Sequence, residues 1–304
     1  MTETARELLP GTSPGTMRNI VRKILRRARP ERLSPRMLRP FVTGDMHPLP
    51  RGWKTGPPAF VGVASGKAGT SWWYTLLLAH PRVKPNRLRE KELCYFYHYG
   101  YRGLDSEAIS TYRQAFAGPE GSLCGEWSPG YLAFPLAVDY LAEAAPEAKI
   151  LVIVRNPVDR FLSSLNQFLT VHAPFLGLRG DRAAVLRKFS LFPAAISHSR
   201  WYESSCRLLR LFDREQLLVL QYEKCKNDPG IEIAKTYRFL GLEESFIPPN
   251  LPQRVNVRPY VVPQCQTEER VRLARYFADD VRAFAGLFPE IDLSLWPEFR
   301  APTR

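Results

Sequence analysis

The segment Ser65-Gly66-Lys67-Ala68-Gly69-Thr70-Ser71 combines glycines, one lysine and closely spaced hydroxyls. The glycines let the backbone curl so that successive N–H groups point at one anion. Lys67 supplies a full positive charge, and Thr70 and Ser71 supply hydroxyl donors. The nucleotide-triphosphate loop G-x-x-x-x-G-K-[ST] is excluded by two positions. Val61 stands where its first glycine belongs, and Ala68 where its magnesium-binding hydroxyl belongs. The chemistry expected is therefore the cradling of a phosphate-like group without a metal.

A second group sits further along, in Arg155-Asn156-Pro157-Val158-Asp159-Arg160-Phe161-Leu162-Ser163. An arginine followed one helical stretch later by a serine suits a second phosphate, because guanidinium forks onto phosphate with paired hydrogen bonds. The alternative is that Arg155 caps its strand and pairs with Asp159. Between the two groups, Glu90-Lys91-Glu92 places two carboxylates and a lysine directly before the aromatic run Tyr95-Phe96-Tyr97-His98-Tyr99. Those aromatics read as core and cleft wall.

The elements that must position these residues are legible from their patterning. Ala59–Ala64 is a short apolar run, expected as a buried strand, and the cradle leads from it into a helix that Pro81 closes. Lys149–Val154, continuous and β-branched, is expected as a central parallel strand ending at Arg155, with Pro157 opening the next helix. In an open α/β sheet, ligands collect at such carboxyl ends. Pro81–Arg89 is expected as loop, Ser122–Pro129 as a short strand entering a turn, and Tyr131–Ala145 as a helix bent at Pro135. Helices over Arg200–Phe212 and Glu232–Leu240, a strand over Leu217–Tyr222 and a proline-broken basic loop around Arg254 and Arg258 follow. A final helix capped by Thr267 is expected to bury Val271, Ala274, Phe277, Val281 and Phe284.

At 304 residues the chain fits one large α/β domain over residues 56–304, preceded by a basic, partly helical extension over 1–55. The formal net charge is +13. Residues 1–55 hold 12 Lys and Arg against 4 Asp and Glu, a net +8, so the remaining 249 residues carry only +5. Basicity concentrated in a tail argues against a nucleic-acid-binding protein. Within the tail, Met17–Ala28 sets Ile20, Val21, Ile24, Leu25 and Ala28 against five basic residues, a pattern able to lie on an anionic membrane or dock on the protein's own core. No apolar run reaches the length of a membrane span, and no signal-peptide pattern opens the chain. The five scattered cysteines have no metal-type spacing, and a reduced, cytoplasmic protein is expected.

Taken in order, these pieces resemble the sulfotransferases that use 3′-phosphoadenosine 5′-phosphosulfate (PAPS), over roughly Ala59 to Trp296. Lys67-Ala68-Gly69-Thr70-Ser71-Trp72 resembles their 5′-phosphosulfate loop, and Arg155 with Ser163, eight residues apart, their 3′-phosphate pair. The resemblance implies the P-loop-like central parallel sheet flanked by helices of that fold. It also implies in-line sulfuryl transfer to an acceptor hydroxyl, with no metal. Glu92-Leu93-Cys94-Tyr95-Phe96 and Gly125-Glu126-Trp127-Ser128-Pro129 are similar to segments of the carbohydrate-sulfating branch, in which the first glutamate is the catalytic base. By that likeness Glu92 is the base, Lys67 stabilises developing charge, and Arg254 and Arg258 close over the nucleotide. The phenol and steroid branch uses a histidine, here His98, and stays as the alternative; a small-molecule kinase is the other. Two departures stand out. Trp127 replaces a lysine often found after the second glutamate, and the anchoring segment of Golgi members has no counterpart, as in bacterial-type enzymes.

Overall fold

The computed structural model describes residues 39–172, 189, 193–253 and 267–300. Seven strands and nine helices follow in chain order among these residues. They begin with β1 (Lys54–Gly56), β2 (Phe60–Ala64), α1 (Thr70–Ala79), β3 (Val83–Lys84), α2 (Ser106–Gln114), β4 (Phe116–Gly118) and β5 (Leu123–Trp127). Then come α3 (Pro135–Ala144), β6 (Lys149–Val154), α4 (Pro157–Gln167), α5 (Pro193–Ser197), α6 (Tyr202–Leu211) and β7 (Leu217–Gln221). The chain closes through α7 (Tyr222–Asn227), α8 (Pro229–Leu240) and α9 (Thr267–Leu287).

Five strands form one parallel sheet in the order β3-β5-β2-β6-β7. β2, β6 and β7 are buried along almost their whole length, as their β-branched and leucine-rich sequences require when helices cover both faces. Alternation along β6 sends Leu151 and Ile153 to the face covered by α1 and α8, and Ile150, Val152 and Val154 to the other. That second face carries the larger core, closed by α3, α4, α6 and α9. Chain order reverses beside β2, which lies between β5 and β6, so the crevice at its carboxyl end is the switch point of the sheet.

The close neighbour of β2 explains one glycine and the place of one tryptophan. A Cβ on Gly62 would lie 2.1 Å from the Trp127 ring, so only glycine lets that indole cross the strand. The indole Nε1 then donates to the Ala64 carbonyl at 3.0 Å. Trp127 is fully buried, in the core on the α1 and α8 face of the sheet.

Several local expectations shift. The loop over Pro81–Arg89 contains β3, and Tyr222 starts α7 instead of ending β7. Pro135 takes the first turn of α3, after a short 3₁₀ turn over Tyr131–Ala133. β1 pairs antiparallel with β4, and its last residue is Gly56; Phe41 and Met46, earlier in the chain, are buried in the main core. Val271 was expected in the core and is 41% exposed; Leu273 takes its place, with Phe277, Val281, Phe284 and Phe288. Two residues turn a helix by about 200°, so Val271 and Leu273 must face opposite ways. Residues 17–28 and Cys265 lie outside the described residues.

Candidate active site

The loop after β2 is set by its backbone. Ser65 N–H still donates to Ile153 of β6 at 2.7 Å, and Ala68 N–H turns back to the Ser65 carbonyl at 3.1 Å. Lys67 then takes a left-handed conformation, φ 73°, as does Gly69 at φ 82°. Gly69 caps α1 with no side-chain hydrogen bond, and the first intrahelical bond runs from Trp73 N–H to Gly69 O. The N–H groups of Thr70, Ser71 and Trp72 therefore have no acceptor within the helix. Ala68 is fully buried, so it meets this space through its backbone alone. Thr70 is buried; Lys67 and Ser71 are half-buried at the rim.

β6 delivers Arg155 to the same place. Its Nη1 donates to the Lys67 carbonyl at 3.2 Å, and its guanidinium lies over the Tyr222 ring, 5.0 Å from the centroid. The same ring closes on Gly69, where a Cβ would meet it at 2.9 Å. Tyr222, the first residue after β7, thus packs the loop and the arginine together, a contact no local pattern announces. The Nε of Arg155 is buried without a hydrogen-bond partner. Asp159 does not pair with Arg155; it holds Arg270 of α9 at 2.8 Å. Asn156 fixes the turn, its Oδ1 accepting from Val158 N–H at 3.0 Å and its Nδ2 donating to Glu298 at 2.8 Å. Ser163 lies half-buried on α4, one turn beyond Asp159. Arg254 and Arg258 lie outside the described residues.

On the other side, Glu92 is half-exposed and its carboxylate contacts Lys91 Nζ at 2.6 Å. The same ammonium donates to Thr70 Oγ1 at 3.2 Å. One lysine therefore joins Glu92 to the first residue of α1. Lys91 is visible in the sequence only as a lysine between two carboxylates. His98 sits half-buried at the close of a 3₁₀ turn over Tyr95–His98. Tyr95 and Phe96 are core residues, while Tyr97 reaches out to Gly130.

A buried carboxyl and a half-buried imidazole flank this space. Burial pushes the Glu126 carboxyl up to about 7, although hydrogen bonds from Ser128, Tyr112, Leu93 N–H and Tyr131 favour its charged form. His198 has its ring between the loop and the turn after β5: a methyl on Gly66 would meet Nδ1 at 3.6 Å, one on Gly130 would meet Cε1 at 3.3 Å. Burial, with the charge of Arg160 adding, lowers this imidazole to about 4. Nothing in the sequence around His198 distinguishes it.

An uncapped helix start, a left-handed glycine, a lysine and an arginine with an orphaned buried Nε fit an anionic ligand with more than one charged group. Lys91 and Glu92 then border it on the side open to solvent.

A family model described as "Sulfotransferase domain" matches residues 58–255. Among curated proteins, heparan sulfate glucosamine 3-O-sulfotransferase 6 of Mus musculus is 27% identical over 200 residues, 62% of this chain and 53% of that protein. Bifunctional heparan sulfate N-deacetylase/N-sulfotransferase 3 of Homo sapiens is 28% identical over 206 residues, 61% of this chain and 22% of that protein. The chain thus spans about half the length of the first of these, and less of the second. Among solved structures, a sulfotransferase from Alicyclobacillus acidocaldarius superposes with a TM-score of 0.59 at 25% identity, covering 79% of this chain and 98% of that one.

Proposed function

The chain belongs to the sulfotransferase family, and from that premise we propose that it moves a sulfuryl group from PAPS to an acceptor hydroxyl on a carbohydrate or glycoconjugate. The observation that carries this reading is the hydrogen bond from Arg155 to the Lys67 carbonyl, which sets a second cationic element against the anion cradle. The donor brings a sulfuryl group on a phosphosulfate anhydride. Lys67 and the N–H groups at the start of α1 would neutralise charge on the transferring group and the leaving phosphate, with about 10²–10³-fold in rate resting on a single such donor. Arg155, with Ser163, would hold the 3′-phosphate. Glu92 would take the hydroxyl proton as the new O–S bond forms, a contribution of about 10²–10⁴-fold.

Glu92 is favoured over His98 because it is tied through Lys91 to Thr70 of the cradle. A carbohydrate acceptor is supported by the heparan sulfate enzymes among the relatives. Among the described residues no helix is long and apolar enough to cross a membrane. We place the enzyme in the cytoplasm, with residues 17–28 as a peripheral contact to anionic lipid and Arg254 and Arg258 closing over the nucleotide. The test is transfer of labelled sulfate from PAPS across a panel of sugars, glycolipids, glycopeptides and phenols, with a chelator present. Turnover of a glycan acceptor supports the reading. Turnover of phenols alone would move the assignment to the other branch, and loss of all activity with chelator would restore a metal.

A further inference from the structure

The segment that carries Glu92 has no ladder of its own. From Lys91 to Cys94 the backbone is irregular, and Cys94 is bent into the left-handed region at φ 50°. It is held from one neighbour, the end of β5 and the turn that follows it. Lys91 O accepts from Trp127 N–H at 3.0 Å. Three consecutive N–H groups, those of Leu93, Cys94 and Tyr95, each find a different side chain. Leu93 N–H donates to Glu126 Oε2 at 3.2 Å, Cys94 N–H to Ser128 Oγ at 3.0 Å, and Tyr95 N–H to the Tyr131 hydroxyl at 2.9 Å.

These three acceptors are themselves one network, and Glu126 is its centre. Ser128 Oγ donates to Oε2 at 2.6 Å, the Tyr131 hydroxyl to Oε1 at 3.2 Å, and the Tyr112 hydroxyl to Oε1 at 2.8 Å. With Leu93 N–H, the carboxylate accepts four hydrogen bonds, all from neutral donors, at 0% exposure. A hydroxyl that donates to the carboxylate must present its lone pairs elsewhere. Ser128 and Tyr131 are thereby oriented as acceptors toward Cys94 and Tyr95. An isolated buried carboxylate is costly, and an apolar side chain could fill the same volume. What an apolar side chain could not do is orient two hydroxyls and hold one amide at the same time.

We propose that Glu126 is a positioning residue whose carboxylate, through Ser128 and Tyr131, fixes the backbone from Leu93 to Tyr95 and so aims Glu92 and Lys91 at the cradle. It touches neither substrate; it acts through the geometry of the segment beside it. This rests on the assignment of Glu92 as the base. Displacements of about 1 Å from a productive geometry can cost about 10²-fold in rate.

The test compares Glu126→Gln, Ser128→Ala and Tyr131→Phe with the parent and with Glu92→Gln, in full-length protein. A glutamine places an N–H₂ among four donors, while the other two changes each delete one tether. Expected is a drop in kcat of about 10–10²-fold for Glu126→Gln, smaller drops for the other two, and affinity for adenosine 3′,5′-bisphosphate within about twofold of the parent. In a Glu92→Gln background, Glu126→Gln should cost clearly less than it does in the parent, because one of the two groups it aims is gone. If Glu126→Gln does not fold, Ser128→Ala and Tyr131→Phe decide by the same readouts. Full kcat in the folded variants, equal losses of kcat and nucleotide affinity, or full additivity with Glu92→Gln each overturns the proposal. Near-normal turnover of Glu92→Gln itself removes the base assignment, and this proposal with it; an impaired Glu92→Gln beside an intact Glu126→Gln removes the positioning role alone.

Discussion

Arg155 donates from Nη1 to the carbonyl of Lys67 at 3.2 Å, across 88 residues of chain. One end of β6 is thereby bound to the loop at the end of β2. The lysine is held in a left-handed conformation at φ 73°, and the Tyr222 ring packs against the arginine. Whatever anion one residue meets, the other is held close to it.

If this pair defines two phosphate subsites, the protein should bind adenosine 3′,5′-bisphosphate far more tightly than AMP. Arg155→Ala should remove most of that preference, on the order of 2–5 kcal/mol for losing one side of a buried charge pair. Calorimetry with both nucleotides checks it, and equal affinities in the parent protein would end the donor assignment.

Gly69→Ala should damage the cradle without touching its charges. The new methyl meets the Tyr222 ring at 2.9 Å in a backbone at φ 82°, a conformation costing a residue with Cβ about 1–2 kcal/mol. Urea unfolding should show a loss of at least that size, and nucleotide affinity should fall as Tyr222 is displaced. Parent-like values in both would mean the loop relaxes freely.

Glu92→Gln should lower kcat by about 10²–10⁴-fold and leave PAPS binding nearly unchanged, since the carboxylate serves the acceptor side. His98→Ala should cost far less. Single-turnover rates at saturating donor separate the two. A dead His98→Ala beside an active Glu92→Gln would transfer the role of base to the histidine.

Glu126 and His198 should oppose each other in stability against pH. For Glu126, the native carboxyl at about 7 keeps its proton while the unfolded chain, at about 4.5, loses it. Stability from this group is therefore full below pH 4.5 and is lost as pH rises to about 7. For His198, the native imidazole at about 4 stays neutral while the unfolded one, at 6.5, protonates. That contribution is present above pH 6.5 and is lost as pH falls to about 4. Each window is worth about 3 kcal/mol by linkage. Melting curves from pH 4 to 8 should show Glu126→Gln gaining on the parent as pH rises, and His198→Phe gaining as it falls. Curves parallel to the parent would mean that burial perturbs neither group.

Residues 17–28, proposed to contact membrane, should give liposome binding that needs anionic lipid and weakens with salt. Deleting residues 1–38 should abolish it and leave nucleotide binding intact. Binding to neutral liposomes alone, or no binding, would remove the membrane role.

Local chemistry made the framework legible in the sequence. A buried strand, a glycine-rich turn with one lysine and a helix are encoded within about twenty consecutive residues, as are β6 with its terminal arginine and the helix opened by Pro157. Each depends on neighbours in sequence, where periodicity, φ preference and capping act. What only the tertiary structure decided are relations between distant segments. Trp127 found room across β2 only because Gly62, 65 residues earlier, has no side chain. Tyr222 became part of the cradle because β7 ends beside β6. Lys91 reached Thr70, and Glu126, Ser128 and Tyr131 each took one backbone N–H of the neighbouring segment, because parallel pairing of β2 with β5 brings their carboxyl ends together. The bonds that hold the backbone beside Glu92 join residues more than thirty apart, and no short window along the chain contains both partners.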